Sequence, residues 1–302
     1  MGLRTSIRIL GSGASLPATA VTREALDARL GLLPGTLADY GAARLRYVTT
    51  DETAAGLAAR ACEQALAASG LAWQDIDCLV AANATMDQGL PYNASLIHAQ
   101  LGLQRHPIAS FDVGASCLSF LNALDIVGHL LHNRRYRNVM LVSADIATFG
   151  LNWKELRECG NFGDGAAAVV LRRSAPDEAS CIRTASFRTL SQGVHFCEIP
   201  AGGSRFHPER IRQPFEPLTK FSMDGKAVMT SHGQFAGMVG KDTLDMTDAA
   251  GRSYRHDIVA IKTAGWVDYL FQRAQSDEIE PKSSYCVRAL PDDIVCVGAY
   301  KT

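Results

Sequence analysis

The sequence predicts an α/β protein, with helices on both faces of a sheet in its first half and a small α+β, largely antiparallel C-terminal segment. Three observations predict it. Apolar runs of strand length alternate with helical patterns through residues 1–175. Residues 176–223 are polar and irregular, with Pro, Gly and Arg crowded into "IPAGGSRFHPERIRQPFEP". Residues 224–302 return to short apolar runs separated by turns. These ranges are the expected domains: a first half, a loop-rich excursion and a C-terminal segment.

The elements follow in order. "SIRILGSG" reads as a strand closing on a glycine turn, and that turn is too short for a dinucleotide fingerprint. "DETAAGLAARACEQALAASG" is a helix, with Thr49 and Glu52 at capping-box spacing and Gly70 where a terminating glycine belongs. "DCLVAANAT" is a buried strand. "PYNASLIHAQLG" starts a helix at Pro91 and stops it at Gly102. "IASFDV", "CLSFLNALDIVGHLLHN" and "NVMLVSAD" are strand, helix and strand, and "FGDGAAAVVL" is a glycine turn feeding a further strand. Strands separated by helices imply crossover connections and a largely parallel sheet covered on both faces. In the tail, "GWVDYLF", "KSSYCVRAL" and "DIVCVGAYK" read as strands joined by turns such as "DAAG" and "LPDD".

Composition narrows the function. The chain has 302 residues, 47% apolar and 20% charged, with a formal net charge of -1. No global field is present to hold nucleic acid or an anionic membrane. No apolar stretch reaches the ~20 residues that span a bilayer, and the first residues lack the apolar segment of a signal peptide. A cytoplasmic protein is expected. The eight cysteines form no C-x-x-C pair, so zinc is not expected and seven of them read as small buried hydrophobes.

The eighth, Cys117, stands at the corner of "FDVGASCLSFLNAL". It follows an apolar strand and a small-residue turn and opens a helix. The polar residues of that helix, Ser119, Asn122, Asp125, His129 and His132, recur at spacings of three and four and make one stripe on a mostly buried helix. Free backbone N–H groups and the positive end of the helix dipole favour a thiolate at such a corner, and supply an N–H for an oxyanion. Core filler and nucleophile both remain open on spacing alone.

Residues 1 to about 225 resemble the beta-ketoacyl-acyl carrier protein synthase III family, of the thiolase-like superfamily. The motifs run in the family's order: "GSGASLPATAVTREAL", "RYVTTDETAAGLAARACEQALAASGLAWQDIDCLVAANAT", "FDVGASCLSFLNAL", "NFGDGAAAVVL", "EIPAGGSR" and "FSMDGKAV". The resemblance implies a thiolase-like mixed sheet and a homodimer with sheets continued across the interface. It also implies acyl-CoA or acyl carrier protein as substrate, with no cofactor. By it Cys117 is the nucleophile that holds the acyl group. Two departures stand out. The family usually has Ser-Gly-Phe after its cysteine, whereas this chain has Leu118-Ser119-Phe120, a change expected to crowd the site. Asp145 stands where the family often has glutamate.

The family condenses the acyl group with a malonyl-type extender, using a histidine and an asparagine from its second half. The last asparagine here is Asn161, and no His-Gln-Ala-Asn segment is present. His195, His207, His232 and His256 are the remaining histidines of the second half, with His232 in "SHGQFAG" the first to consider. Condensation is therefore expected to be impaired. From about residue 224 the tail is similar to the latter part of Cache-type sensor domains, on "VGKDTLDMTDAAGRSY", "GWVDY", "EPKSSY" and "VGAYK". The alternatives to an acyltransferase are a non-catalytic thiolase-fold protein or partner subunit, and a small-ligand sensor built on the tail. The arginines of "HNRRYRN" read as a solvated loop or as a docking patch for an acidic carrier protein.

Overall fold

The computed structural model describes residues 5–40, 42–155, 161–183, 185, 187, 189, 191–212, 214–224, 245, 247–272, 279–290 and 293–300. Residues 45, 46, 264, 272, 285, 287–290 and 293–300 are described by their backbone alone. The chain divides into two compact units, Met1–Thr189 with Ile199–Phe221, and Leu190–Glu198 with Ser222–Thr302.

The first unit opens with β1 (Thr5–Ser6), β2 (Arg8–Ser15) and β3 (Thr19–Thr22), then α1 (Arg23–Arg29), α2 (Thr36–Asp39) and β4 (Leu45–Val48). It continues with α3 (Ala54–Ser69), β5 (Cys78–Ala81), α4 (Asn93–Gln100) and β6 (Ala109–Asp112). Next come α5 (Ser119–His132), β7 (Asn138–Ile146), β8 (Asp164–Arg172) and β9 (Cys181–Ile182). One five-stranded sheet has the order β2-β8-β7-β5-β6. β5 is parallel to β6 and to β7, while β8 is antiparallel to both β7 and β2. The sheet is mixed, as the family resemblance implies, rather than largely parallel as the alternation of strands and helices alone suggests, because β8 runs against both of its neighbours.

Each face of the sheet buries its own core. On one face Leu57, Ala61 and Ala65 of α3 and Ile97 of α4 meet Leu79, Met140, Val142 and Val170. On the other, Ala123, Val127 and Leu131 of α5 meet Val80, Val139 and Leu141. The strands have buried residues pointing both ways, which is why β5 reads as a continuous apolar run. The "GSG" segment lies inside β2 rather than at its end. A Cβ on Gly11 or Gly13 would run into the α3 backbone at Ser69, Ala65 or Ala61, so these glycines let the strand lie directly against the helix.

The ends of α3 differ in part from expectation. Its N-cap is Thr53, whose hydroxyl accepts the Gly56 N–H at 3.0 Å, and Asp87 accepts the Ala54 and Ala55 N–H groups at 2.8 and 2.9 Å. The Thr49–Glu52 pair therefore does not cap this helix, because the N-cap lies at Thr53, four residues beyond Thr49. Gly70 closes the helix in the left-handed conformation, at φ 71°. α4 begins at Asn93, two residues after Pro91.

The second unit contains β10 (Cys197–Glu198) paired with β11 (Ser222–Met223), α6 (Tyr254–Val259), and an antiparallel meander of β12 (Ala264–Gln272), β13 (Ile279–Leu290) and β14 (Asp293–Tyr300). Tyr254 stacks on Tyr269 at 4.1 Å, tying α6 to β12. Asp248 accepts the N–H groups of Ala250, Arg252 and Leu270, each at 2.9 Å, and these bonds hold its carboxyl below the usual range. The small α+β, largely antiparallel tail is as expected.

The cysteines divide differently from expectation. Cys62 and Cys78 are buried, and burial raises both thiols, Cys78 to about 11. Cys181 is partly exposed and Cys197 exposed. Cys286 is disulfide-bonded, and its register partner across β13 and β14 is Cys296. Cys159 lies outside the described residues. Among the described residues, no helix is long and apolar enough to cross a membrane.

Candidate active site

Cys117 lies at the turn between β6 and α5. It sits in a single 3-10 turn, Ser116–Leu118, and α5 begins two residues later at Ser119. Its side chain is exposed. The residue before it, Ser116, has φ 50°, a left-handed conformation that a non-glycine residue seldom adopts. That φ keeps the turn from merging into α5, so the cysteine precedes the helix instead of occupying its first turn. The Leu118 N–H bonds the Ala115 carbonyl at 3.0 Å, and the Ser119 N–H bonds the Ser116 carbonyl.

The helix behind the cysteine is not split into polar and apolar faces as the spacing suggests. Ser119 is only 1% exposed and heads the buried row Ser119, Ala123, Val127, Leu131. Leu118, Leu121 and Ile126 are exposed instead, at 48%, 52% and 42%. The sheet takes the row spaced by four, and its first position accepts a small polar residue whose hydroxyl is satisfied by backbone.

A cavity of about 390 Å³ adjoins the turn, lined by Asn83, Met86, Tyr92, Asp112 and Ser116 among others. Asp112 accepts the Ala94 N–H at 3.1 Å, and burial raises its carboxyl above the usual range despite that bond. Asp145 holds the segment that carries the lining residue Ala84. Its Oδ1 accepts the N–H groups of Ala84 and Thr85 at 2.7 and 2.6 Å and the Thr85 hydroxyl at 3.0 Å. Asp164, at the start of β8, is 5% exposed and accepts the N–H and hydroxyl of both Thr49 and Thr148, between 2.7 and 3.0 Å. The "FGDGA" segment thus supplies a carboxylate that pins β4 and the chain after β7. Sequence reasoning left that role unassigned; an aspartate heading an apolar strand was its one visible signal.

The histidines are placed as follows. His195 Nδ1 lies 2.8 Å from Glu198 Oε2, and His256 Nε2 lies 2.8 Å from Asp245 Oδ1. His207 Nδ1 accepts the Glu209 N–H at 3.4 Å. His232 lies outside the described residues. Among the described residues no histidine hydrogen-bonds Cys117, and no group of three or more His, Cys, Asp or Glu side chains is placed to hold a metal ion. Arg134, Arg135 and Arg137 follow the C-terminal end of α5, and Arg137 pairs with Asp77 at 3.0 Å. Cys117 precedes the other end of this 14-residue helix, about 20 Å away at 1.5 Å per residue, so these arginines do not border the cysteine.

Known proteins resemble this chain in sequence and fold. Residues 111–190, which include Cys117, match the family 3-oxoacyl-[acyl-carrier-protein (ACP)] synthase III. The beta-ketoacyl-[acyl-carrier-protein] synthase III of Rhodospirillum centenum is 36% identical over 188 residues, 62% of this chain and 58% of that protein. That of Granulibacter bethesdensis is 34% identical over 208 residues, 67% of this chain and 64% of that protein. The chain therefore spans about three fifths of the length of these curated relatives. The crystal structure of 3-oxoacyl-(acyl carrier protein) synthase III from Pseudomonas aeruginosa PAO1 superposes with a TM-score of 0.64 at 28% identity, covering 78% of this chain and 69% of that one. The chain carries a thiolase-like α/β fold, similar in sequence and structure to the beta-ketoacyl-acyl carrier protein synthase III enzymes.

Proposed function

We propose that this chain is an acyltransferase of the beta-ketoacyl-acyl carrier protein synthase III type, with Cys117 as the acyl-accepting nucleophile. The observation that carries the reading is the exposed thiol at the β6–α5 turn, inside the segment that matches the family and beside a cavity. The thiolate of Cys117 attacks the carbonyl carbon of an acyl-CoA thioester. A carbon–sulfur bond forms to Cys117, the carbonyl becomes an oxyanion, and the bond to the CoA sulfur breaks as CoA leaves as a thiolate that takes up a proton. The N–H groups of Leu118 and Ser119 already serve the turn, which points to the Cys117 N–H as the oxyanion donor. No cofactor is needed for this step.

Condensation with a malonyl-type extender is slow or absent in this reading, because the chain has no asparagine after Asn161 and no described histidine bonds Cys117. The substrate is acyl-CoA or an acylated carrier protein, and the compartment is the cytoplasm. The protein works as a homodimer. Its support is β6, an edge strand of the five-stranded sheet, near exposed Met86, Leu90 and Tyr92. Incubation with a short acyl-CoA and mass analysis of Cys117 tests the reading, and sedimentation tests the dimer.

One observation favours a second reading. Cys117 is exposed and, among the described residues, no general base is bonded to it, as in a non-catalytic protein of this fold or a partner subunit. A lesser reading, a small-ligand sensor on a Cache-type tail, draws support from a cavity of about 260 Å³ beside Asp248, Arg252, Tyr269 and Lys282.

A further inference from the structure

We infer that Ser119 is a positioning residue for Cys117, and that its hydroxyl does in this chain what a glycine at that place cannot. This rests on the acyl-transfer reading above. The substitution in "CLSF" is expected to crowd the site, yet the side chain is 1% exposed and its hydroxyl is engaged with backbone groups. Its Oγ accepts the Ala115 N–H at 2.8 Å. The same Oγ lies 2.9 Å from the Asn83 carbonyl and 2.7 Å from the Ser116 carbonyl. A hydroxyl has one proton, so it donates to one of these carbonyls at a time and the other takes its place when the turn shifts.

Three pieces of chain meet at this atom. Ala115 and Ser116 immediately precede Cys117, and Ser116 carries the left-handed φ of 50°. Asn83 lies just past the end of β5 and is itself fixed, because its Oδ1 accepts the Ala144 N–H of β7 at 3.1 Å. Ser119 belongs to the first turn of α5 and cannot move without the helix. The hydroxyl thus fastens a strained turn to the sheet on one side and to the helix on the other. The turn that presents the thiol is thereby held beside the cavity that Asn83, Ala115 and Ser116 line, and the orientation of Cys117 is set by that turn. Attack on a thioester depends on that orientation, whereas reaction with a small alkylating agent depends mainly on access.

Ser119→Ala and Ser119→Gly in the full chain test the proposal. Amide exchange of the peptide covering 113–118 should speed by at least tenfold in both variants, with a β7 peptide unchanged within twofold. Acylation of Cys117 by acetyl-CoA should fall at least tenfold, while its alkylation by iodoacetamide stays within threefold. Unchanged exchange at 113–118 overturns the proposal, and so does a parallel fall of acylation and alkylation, which marks a merely structural role. If the alanine variant does not fold, the glycine variant decides. A wild-type chain that takes no acyl group overturns the acyl-transfer reading, and the exchange data then still decide whether Ser119 holds the turn.

Discussion

Asp145 accepts the Thr85 N–H at 2.6 Å and the Thr85 hydroxyl at 3.0 Å, joining the end of β7 to the segment that walls the cavity beside Cys117. The shorter aspartate here makes this contact directly. Asp145→Ala should lower stability by about 2 kcal/mol, the cost of stranding hydrogen-bonded partners, as read by urea unfolding. Asp145→Asn should lose less, because one amide oxygen still accepts.

Asp164 is the more demanding case. Its four bonds to Thr49 and Thr148 are buried, so Asp164→Ala strands donors on two separate segments. A loss of about 3 kcal/mol or more in urea unfolding is expected, the range seen when a buried polar network is broken. A loss below 1 kcal/mol would mean the two segments are held elsewhere.

Gly11→Ala and Gly13→Ala test the approach of β2 to α3. Each added methyl meets helix backbone, which has no flexible end to yield. Destabilisation of about 1–3 kcal/mol is expected, the usual cost of overpacking. Gly202→Ala is a useful contrast, because its strain comes from a φ of 105° in open surroundings and no atom stands in the way.

Glu178 carries a defined pH dependence. The side-chain bond from Arg172 holds its carboxyl down to about 2, with the Ala175 N–H and Arg8 adding to the effect. A carboxyl lowered in the folded state contributes stability above its unfolded value, and that contribution disappears as pH falls through the folded value. Acid unfolding followed by circular dichroism should show a component lost between about pH 4.5 and about pH 2 that Glu178→Gln abolishes. Identical acid profiles for the two proteins would contradict this.

Much of the fold is legible in the sequence because its periodicities are strong. The runs "DCLVAA" and "NVMLVSAD" are apolar on both faces, as a sheet covered on both sides requires, and β5 and β7 lie there. The direction of β8, the reversed strand of this sheet, was not legible from periodicity, which carries no strand direction; only the family resemblance implied a mixed sheet. The local geometry at Cys117 was legible, because strand, small-residue turn and helix follow one another there. The place of Ser119 was not legible, because its polar character put it on one stripe with Asn122, Asp125, His129 and His132, whereas its hydroxyl is satisfied inside. Thr49 and Glu52 misled for a related reason: their spacing suits a capping box, but Asp87, distant in sequence, caps the helix instead. Cys286 shows the same limit, because a disulfide depends on which residues the fold brings together, which local pattern does not reveal.

The central claim is that Cys117 accepts an acyl group, and intact-mass analysis after incubation with acetyl-CoA tests it most directly. The account predicts one added acetyl mass per chain, mapped to Cys117 by peptide sequencing and absent in Cys117→Ala. It also predicts little ketoacyl product when malonyl-carrier protein is added. No adduct on the wild-type chain, or an adduct that persists in Cys117→Ala, would contradict it.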